Sequence, residues 1–112
     1  PIYLQLLEDF KLKISSGVWK SGDKMDTVRN LAKIYGVNPN TVQRALQELE
    51  REGLAKSNRT SGRFITEDEE KINDMAKEAF YRSCDDLISV ADELKLTKEK
   101  SIKLLDEYWR EI

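Results

Sequence analysis

Apolar residues recur in the first half of the chain at alternating steps of three and four positions, the spacing of amphipathic helices. A first helix is predicted by Tyr3, Leu7, Phe10 and Ile14, and it ends near Gly17. A second helix is predicted by Val28, Leu31, Ala32 and Tyr35, and it stops at Gly36. A third is predicted by Val42, Ala45, Leu46 and Leu49. Residues 18–25 form a connector in which Trp19 and Met25 are apolar anchors.

Start signals place the second and third helices close together in the chain. Asp26 stands where an N-cap carboxylate would accept backbone N–H bonds. Asn38 followed by Pro39 marks the start of the third helix, because Asn is a favoured N-cap and Pro is tolerated at the first helical position. The two helices and the short turn between them have the arrangement of a helix-turn-helix.

After Gly53 the pattern changes to two short strand-like runs, residues 54–57 and 63–66, around a polar and basic stretch over 58–62. This predicts a β-hairpin. Three helices followed by a hairpin make a winged helix-turn-helix, so we expect a mainly α fold with a small β-hairpin and a DNA-binding domain over residues 1–66.

Residues 67–112 contain a second pair of apolar stripes. The first comprises Ile72, Ala76, Ala79, Phe80, Leu87, Val90, Ala91 and Leu94, and the second comprises Ile102, Leu105, Trp109 and Ile112. Thr97 is a suitable N-cap between them. Because a lone two-helix hairpin cannot bury such stripes, we expect residues 67–112 to be a dimerisation segment that packs against a second copy of the chain.

The distribution of charge supports this division into two segments. The net charge of the whole chain is −2, but residues 1–66 hold 11 Lys and Arg against 7 Asp and Glu, whereas residues 67–112 hold 8 against 14. The first segment therefore has a net charge of +4 and the second of −6. A basic segment suits a polyanion such as DNA, and an acidic one is expected to stay away from it.

Composition argues against several other classes of protein. With no histidine and a single cysteine, Cys84, the usual Cys/His zinc sites, His-based proton transfer and an intrachain disulfide are unavailable. No metal and no cofactor is expected, and the run of acidic residues 67–70 is interpreted as a helix start that is solvated. No apolar run approaches the roughly 18 residues of a membrane span, and no secretory signal opens the chain, so a cytoplasmic location is expected.

The polar residues that face outward from the helix-turn-helix and the hairpin are the candidate DNA contacts. Arg can bond bidentately to guanine and Asn or Gln to adenine, while a Thr methyl can meet that of thymine. Other Arg side chains suit phosphates or the minor groove. The candidates are Arg29, Asn38, Asn40, Thr41, Gln43, Arg44, Arg59, Thr60, Ser61, Gly62 and Arg63. Lys33 and Gln47 are as readily explained as ordinary exposed residues.

The segments 27–32 and 36–54 are similar throughout to the DNA-binding domain of the GntR family, and Asn38-Pro39-Asn40-Thr41-Val42 resembles the YtrA-like subfamily. The resemblance covers roughly residues 1–66. It implies that Arg29 contacts DNA, that the start of the third helix reads the major groove, and that the wing reaches the adjacent groove. The short C-terminal segment also agrees with the YtrA type, in which this part is a pair of helices.

The chain departs from the family pattern at two places. Met25-Asp26 replaces a usual Pro-Ser before the second helix, and Thr60-Ser61-Gly62 replaces a Gly-x-Gly in the wing. Asp26 is therefore interpreted as a cap turned toward its own helix, since a carboxylate near the duplex would repel phosphates.

The C-terminal segment also offers residues for a dimer contact or an effector pocket. These are Ala76, Phe80, Tyr81, Leu87, Ala91, Leu105, Tyr108 and Trp109. Aromatic residues at helical spacing belong to a core more often than to a ligand site, but this is the one segment where a small-molecule effector could act. Cys84 is interpreted as a small apolar side chain and not as a redox sensor.

The sequence thus predicts a transcription regulator that binds double-stranded DNA as a homodimer on a palindromic operator, with repression as the expected outcome. Two alternatives come from other classes. A winged-helix module that binds a protein would need an apolar or acidic surface on the third helix, whereas this one is polar and partly basic. An enzyme would need a further large domain, such as the aminotransferase-like domain found in some GntR relatives.

Overall fold

The computed structural model describes residues 1–112 and consists of five helices and one hairpin. In chain order these are α1 (Ile2–Ser15), α2 (Val28–Tyr35), α3 (Pro39–Arg51), β1 (Ala55–Asn58), β2 (Gly62–Ile65), α4 (Glu69–Glu93) and α5 (Lys98–Glu111). The mainly helical fold with a small hairpin is confirmed. The chain forms two compact units, Pro1–Lys77 and Glu78–Ile112, each described separately below.

The core of the first unit is built on the apolar faces of α1 and α3. Phe10, Val42, Leu46 and Leu49 are the largest fully buried side chains. The rings of Trp19 and Tyr35 lie 5.0 and 5.5 Å from the ring of Phe10, centroid to centroid. All four apolar positions predicted for α3 have no exposed surface, because consecutive turns place them on one side of the helix. Met25 is buried and Trp19 packs partly on the core, as predicted for the connector.

The start of α2 differs by one residue from the prediction. The N-cap is Thr27, whose hydroxyl oxygen accepts a hydrogen bond from the backbone N–H of Asn30. Asp26 precedes the cap, and its carboxylate accepts from the backbone N–H of Thr27 and from the side-chain amide of Asn30. The Asp26 carboxylate therefore does turn toward its own helix. Gly36 ends α2 with φ +64°, a left-handed conformation that suits glycine.

The hairpin is antiparallel, with Ala55 opposite Ile65 and Asn58 opposite Gly62. Its strands lie within one residue of the predicted runs. The connector before α2 joins it as a third edge, because Lys24 forms a bridge with Phe64 and the Met25 N–H donates to the Arg63 carbonyl at 2.8 Å. The wing is thus attached along one edge to the segment that leads into α2.

The first unit extends beyond the position where the charge changes sign. Ile72 of α4 is buried in the core, and Met75 packs against it. The ammonium group of Lys71 donates to the carbonyl of Glu52, at the C-terminal end of α3. Compactness therefore places the division inside α4, after Lys77, whereas charge and apolar pattern predict a segment boundary between residues 66 and 67.

The second unit contains the rest of α4 together with α5. Thr97 caps α5 by accepting from the N–H of Lys100, as predicted. Ala91 is the one buried apolar residue of this unit, and most of its larger apolar side chains are exposed. Those that are exposed are Phe80, Tyr81, Leu87, Ile88, Val90, Leu94, Ile102, Leu104, Leu105, Tyr108, Trp109 and Ile112. No helix combines the length and apolar character needed to cross a bilayer.

Candidate nucleic-acid interface

The N-terminal half of α3 presents the polar residues that the sequence singled out. The side-chain oxygen of Asn38 caps the helix by accepting from the N–H of Asn40 at 2.7 Å, and Pro39 occupies the first turn. Asn40 and Arg44 are exposed, while Thr41 and Gln43 are half-buried. Because the opposite face of α3 is buried in the core, the side chains of this polar face point away from the core.

A groove separates α3 from the wing, and five predicted contact residues lie along it. Those residues are Gln43, Thr60, Ser61, Gly62 and Arg63. The groove also contains Thr27 and Val28 from the start of α2, and Lys24 and Asp26 from the connector. Side chains from α3 and from the hairpin tip are therefore brought to one surface.

The wing tip is a three-residue loop, 59–61, held by a side chain of β1. The carboxamide oxygen of Asn58 accepts from the backbone N–H of Thr60 at 3.1 Å and from its hydroxyl at 3.2 Å. Gly62 then closes the loop with φ +108°, a conformation that side-chain-bearing residues rarely adopt. Arg59 and Ser61 are exposed at the tip. Thr60 stands where the family pattern has its first wing glycine. The hydrogen bonds from Thr60 to Asn58 set the loop conformation here.

Arg63 lies beside the groove but is engaged within the protein. Its Nε donates to Oε1 of Glu50 on α3 at 2.5 Å, and its side chain is only 16% exposed. The hydroxyl of Ser57 donates to the same carboxylate oxygen. Desolvation raises the pKa of the Glu50 carboxyl, but the hydrogen bonds from Ser57 and Arg63 outweigh it and hold the pKa below its usual value. Arg63 therefore links the wing to α3.

Arg44 has a contact on the other side of α3. The central carbon of its guanidinium lies 3.8 Å from the centroid of the Tyr3 ring, on the first turn of α1. This is a close cation–π stack. Arg29 is exposed in the first turn of α2 and lies outside the lining of the groove.

Three residues of this surface were missed by the sequence analysis. Lys24 lies at the wing, where its side chain approaches within about 3.0 Å of the place a Cβ would occupy on Gly62. The Asn58 side chain accepts a hydrogen bond from the backbone of the tip, and the Tyr3 ring contacts the guanidinium of Arg44. Lys24 is a basic residue in the connector and Asn58 a turn-forming residue, so both gave a weak local signal, whereas no local pattern pairs Tyr3 with Arg44.

The second set of candidate residues is only partly brought together. Leu87, Ala91 and Leu105 line a cavity of about 450 Å³ between α4 and α5 of the second unit. Phe80, Tyr81, Tyr108 and Trp109 are exposed and do not line it, and Ala76 belongs to the first unit. The remaining lining residues are Cys84, Ile88, Asp92, Leu96, Lys98, Ser101 and Ile102. The aromatic side chains therefore form an outer surface and not the walls of this cavity.

Comparison with known proteins agrees with this architecture. The sequence model of the family described as bacterial regulatory proteins, gntR family, matches residues 2–65. The HTH-type transcriptional repressor YtrA of Bacillus subtilis is 46% identical over 67 residues, which is 60% of this chain and 52% of YtrA. The chain thus matches about half the length of that relative. The HTH-type regulator YhcF of the same organism is 33% identical over 103 residues, covering 92% of this chain and 85% of YhcF.

Solved structures give the same result for the fold. A GntR family transcriptional regulator from Listeria monocytogenes superposes with a TM-score of 0.89 at 34% identity, covering 96% of this chain and 94% of that one. These relatives are described as transcription regulators, and their match confirms the predicted winged helix-turn-helix. The chain belongs to the GntR family of bacterial regulatory proteins.

Proposed function

We propose that this protein is a sequence-specific transcription repressor that binds a palindromic DNA operator as a homodimer. The observation that carries the proposal is the groove beside α3, along which Gln43 meets the wing tip while Asn40 and Arg44 continue the same polar face. A recognition helix in the major groove with a wing beside it requires this combination of polar side chains on two elements. We assign repression because the YtrA relative is a transcriptional repressor.

The side chains divide into two chemical groups. Asn40, Gln43 and Arg44 have the donors and acceptors that distinguish bases in the major groove, and Thr41 adds a methyl group. Arg29, Arg59 and Lys24 are cations suited to phosphate oxygens, as are the hydroxyls of Thr60 and Ser61. Asn38 contributes through its cap on α3 and Gly62 through the loop that it closes.

Arg63 has a different part in this proposal from the direct DNA contact that the sequence predicts. Its Nε is bonded to Glu50 and most of its side chain is covered. We assign it to holding the wing at a fixed distance from α3, so that the tip residues 59–61 meet the duplex. Its contribution to binding is thus indirect.

The exposed apolar surface of the second unit supports the homodimer. Twelve large apolar side chains of α4 and α5 are exposed, among them Leu87, Tyr108 and Trp109. Apolar surface on this scale marks an interaction site in a protein that stays in solution. A second copy is the occupant we propose, because the same face on both partners would bury both stripes and relate two recognition helices by a two-fold axis. A cytoplasmic location is part of this proposal, because a protein that regulates transcription works where the DNA lies.

The cavity between α4 and α5 favours a further function, the binding of a small-molecule effector. Leu87, Ile88, Ala91, Leu96, Ile102 and Leu105 give it apolar walls, and Asp92, Lys98 and Ser101 supply polar groups. An amphipathic small molecule fits this lining. Ser101→Trp should place an indole in the cavity and abolish effector-dependent release of DNA. DNA binding without effector should remain unchanged, because Ser101 is not among the exposed apolar side chains proposed for the dimer; release by the same compound at the same concentration would contradict this site.

Selection of bound duplexes from random DNA by the full chain tests the main proposal. A palindromic consensus is expected, and binding that shows no sequence preference at physiological salt would overturn it. For the dimer, Leu87→Asp should convert the sedimenting species to a monomer and weaken binding to the full site by about 10²-fold or more, since the two half-sites no longer act together. Ser89→Asp, on the polar face of α4, is the matched control and should remain dimeric.

A further inference from the structure

The first turn of α1 supports the recognition helix at a point that the helix-turn-helix pattern does not include. Tyr3 lies there with its ring under the guanidinium of Arg44, 3.8 Å from ring centroid to the central guanidinium carbon. Leu6, Leu7 and Phe10 of the same helix are buried in the core. The backbone of this turn is therefore anchored by its buried neighbours, while the Tyr3 ring is half-buried and Arg44 itself is exposed.

The stack uses one part of the guanidinium and leaves the other available. A cation–π contact occupies the flat face of the group, whereas its five N–H donors project from the edge in the plane. The edge is the part that forms two parallel hydrogen bonds with O6 and N7 of guanine. A guanidinium whose plane is already fixed loses less side-chain entropy when it makes those bonds.

Gln43 and Arg44 are neighbours in sequence, but their side chains lie beside different elements of the fold. Adjacent helical residues point about 100° apart around the axis. Gln43 points into the groove beside the wing, and Arg44 points to the side where α1 packs on α3. The reading face of α3 is thus flanked by the wing on one side and by Tyr3 on the other.

We propose that Tyr3 is a positioning residue that holds the guanidinium of Arg44 with its edge toward the base pair and so sharpens recognition of a guanine. This inference rests on the proposed function, because it takes Arg44 to read a base. Tyr3 itself makes no base contact in this scheme. Its contribution passes through the orientation of Arg44.

The test compares Tyr3→Leu, Tyr3→Phe, Arg44→Ala and the double variant Tyr3→Leu/Arg44→Ala. The probes are the duplex selected from random DNA and a scrambled duplex, at one fixed salt concentration. Tyr3→Leu should lower the ratio of specific to nonspecific affinity by about two- to fivefold, the range for a cation–π contact at an exposed site. Tyr3→Phe keeps the ring and should retain the native ratio. The double variant should match Arg44→Ala alone, since Tyr3 acts only through Arg44.

A base-level measurement separates positioning from a general loss of structure. Each guanine of the selected duplex is replaced in turn by 7-deazaguanine, which lacks the N7 acceptor. In Arg44→Ala, replacing one particular guanine should no longer lower the affinity. Replacing the same guanine should lower the affinity of Tyr3→Leu less than it lowers that of the native chain. Thermal unfolding and circular dichroism of each variant confirm that α1 remains folded.

The outcomes distinguish this inference from the proposed function. If Arg44→Ala loses specificity while Tyr3→Leu keeps it or gains it, the stack does not assist reading and the inference is wrong, although the DNA-binding proposal stands. If Tyr3→Leu weakens specific binding equally with and without Arg44, Tyr3 acts by another route and the inference is again wrong. If Arg44→Ala changes nothing while the native chain binds a consensus, Arg44 reads no base and both its assignment and the inference fail.

Discussion

The Nε of Arg63 lies 2.5 Å from Oε1 of Glu50, so an ion pair joins the second strand of the wing to the recognition helix. Ser57 of the first strand donates to the same oxygen. One carboxylate on α3 thus holds both strands of the hairpin. Since the wing has only four residues in each strand, this connection adds a contact to α3 that its own short ladder does not provide.

Glu50→Gln should loosen the wing while leaving the rest of the first unit intact. The neutral amide cannot replace the charged acceptor for Arg63, so amide hydrogens of residues 57–63 should exchange faster. DNA affinity should fall by about two- to tenfold, the range of one net hydrogen bond. Glu48→Gln is the matched control, because Glu48 pairs with Arg51 on the same helix without touching the wing. Equal exchange rates in the native chain and in Glu50→Gln would contradict this connection.

Substitutions on the reading surface should separate base contacts from phosphate contacts. Arg44→Ala and Gln43→Ala should each reduce discrimination between the selected duplex and scrambled DNA, at about 1–3 kcal/mol for a good base contact. Arg29→Ala should weaken binding to both duplexes alike and make the salt dependence shallower. Fluorescence anisotropy across a salt titration measures both effects. Unchanged binding by all three variants would show that DNA is bound elsewhere.

Leu46→Ala should destabilise the first unit strongly. Leu46 is fully buried between α1 and α3, and removing its branched end leaves a cavity that costs about 2–5 kcal/mol. Gln47→Ala, one position along on the exposed side, should change the free energy of unfolding by about 0.5 kcal/mol or less. Denaturant unfolding of the two variants measures the difference. Similar values for both would show that the packing of α3 is misassigned.

Asp9 should make stability depend on acid pH. Hydrogen bonds from Lys13 and then from Tyr35 hold the pKa of its carboxyl below the ordinary value of 3.8. Because the pKa of this carboxyl is lower in the folded state than in the unfolded chain, the ionised carboxylate stabilises the fold at pH values above the unfolded pKa. This contribution is lost as the pH falls through the folded pKa. The native chain should therefore melt above Asp9→Asn at pH 6, and the difference should shrink as the pH approaches 3. A constant difference across that range would contradict the assignment.

Tyr35→Phe provides a second measurement on the same contact. The phenol donates to Asp9 at 2.6 Å, and its removal leaves the aromatic packing on Phe10 in place. The acid dependence of this variant should lie between those of the native chain and Asp9→Asn, because Lys13 still pairs with the carboxylate. A pH profile identical to that of the native chain would assign the whole effect to Lys13.

Local patterns predicted the helices and the hairpin because their signals lie within a few residues of one another. The α3 stripe and the Asn38-Pro39 start are examples, and both are confirmed. The exact cap of α2 was missed, since Asp26 and Thr27 are adjacent, both can cap a helix, and Asp is the more favoured of the two. The backbone geometry decides between them, because it brings the Asn30 N–H to the Thr27 hydroxyl and leaves Asp26 one residue before the cap.

Features that depend on distant parts of the chain could not be predicted in the same way. Charge changes sign at residue 66, but compactness is decided by Ile72 and Met75, which pack on a core made of α1 and α3. The pairing of Arg63 with Glu50 and of Arg44 with Tyr3 depends on how separate elements meet. A sequence shows that an arginine is polar and outward-facing, but not which neighbour holds it.

The different surroundings of Gln43 and Arg44 bear on how the product of a duplicated gene could come to recognise a new operator. One neighbour faces the wing and the other faces α1, and these elements are far apart in the chain. A substitution at Tyr3 would alter the setting of Arg44 without touching the wing, while a change in the wing would alter the surroundings of Gln43 alone. If Gln43 and Arg44 read bases as proposed, two copies of such a regulator can diverge by single steps, each weakening or altering one base contact while the rest of the ancestral site is still recognised.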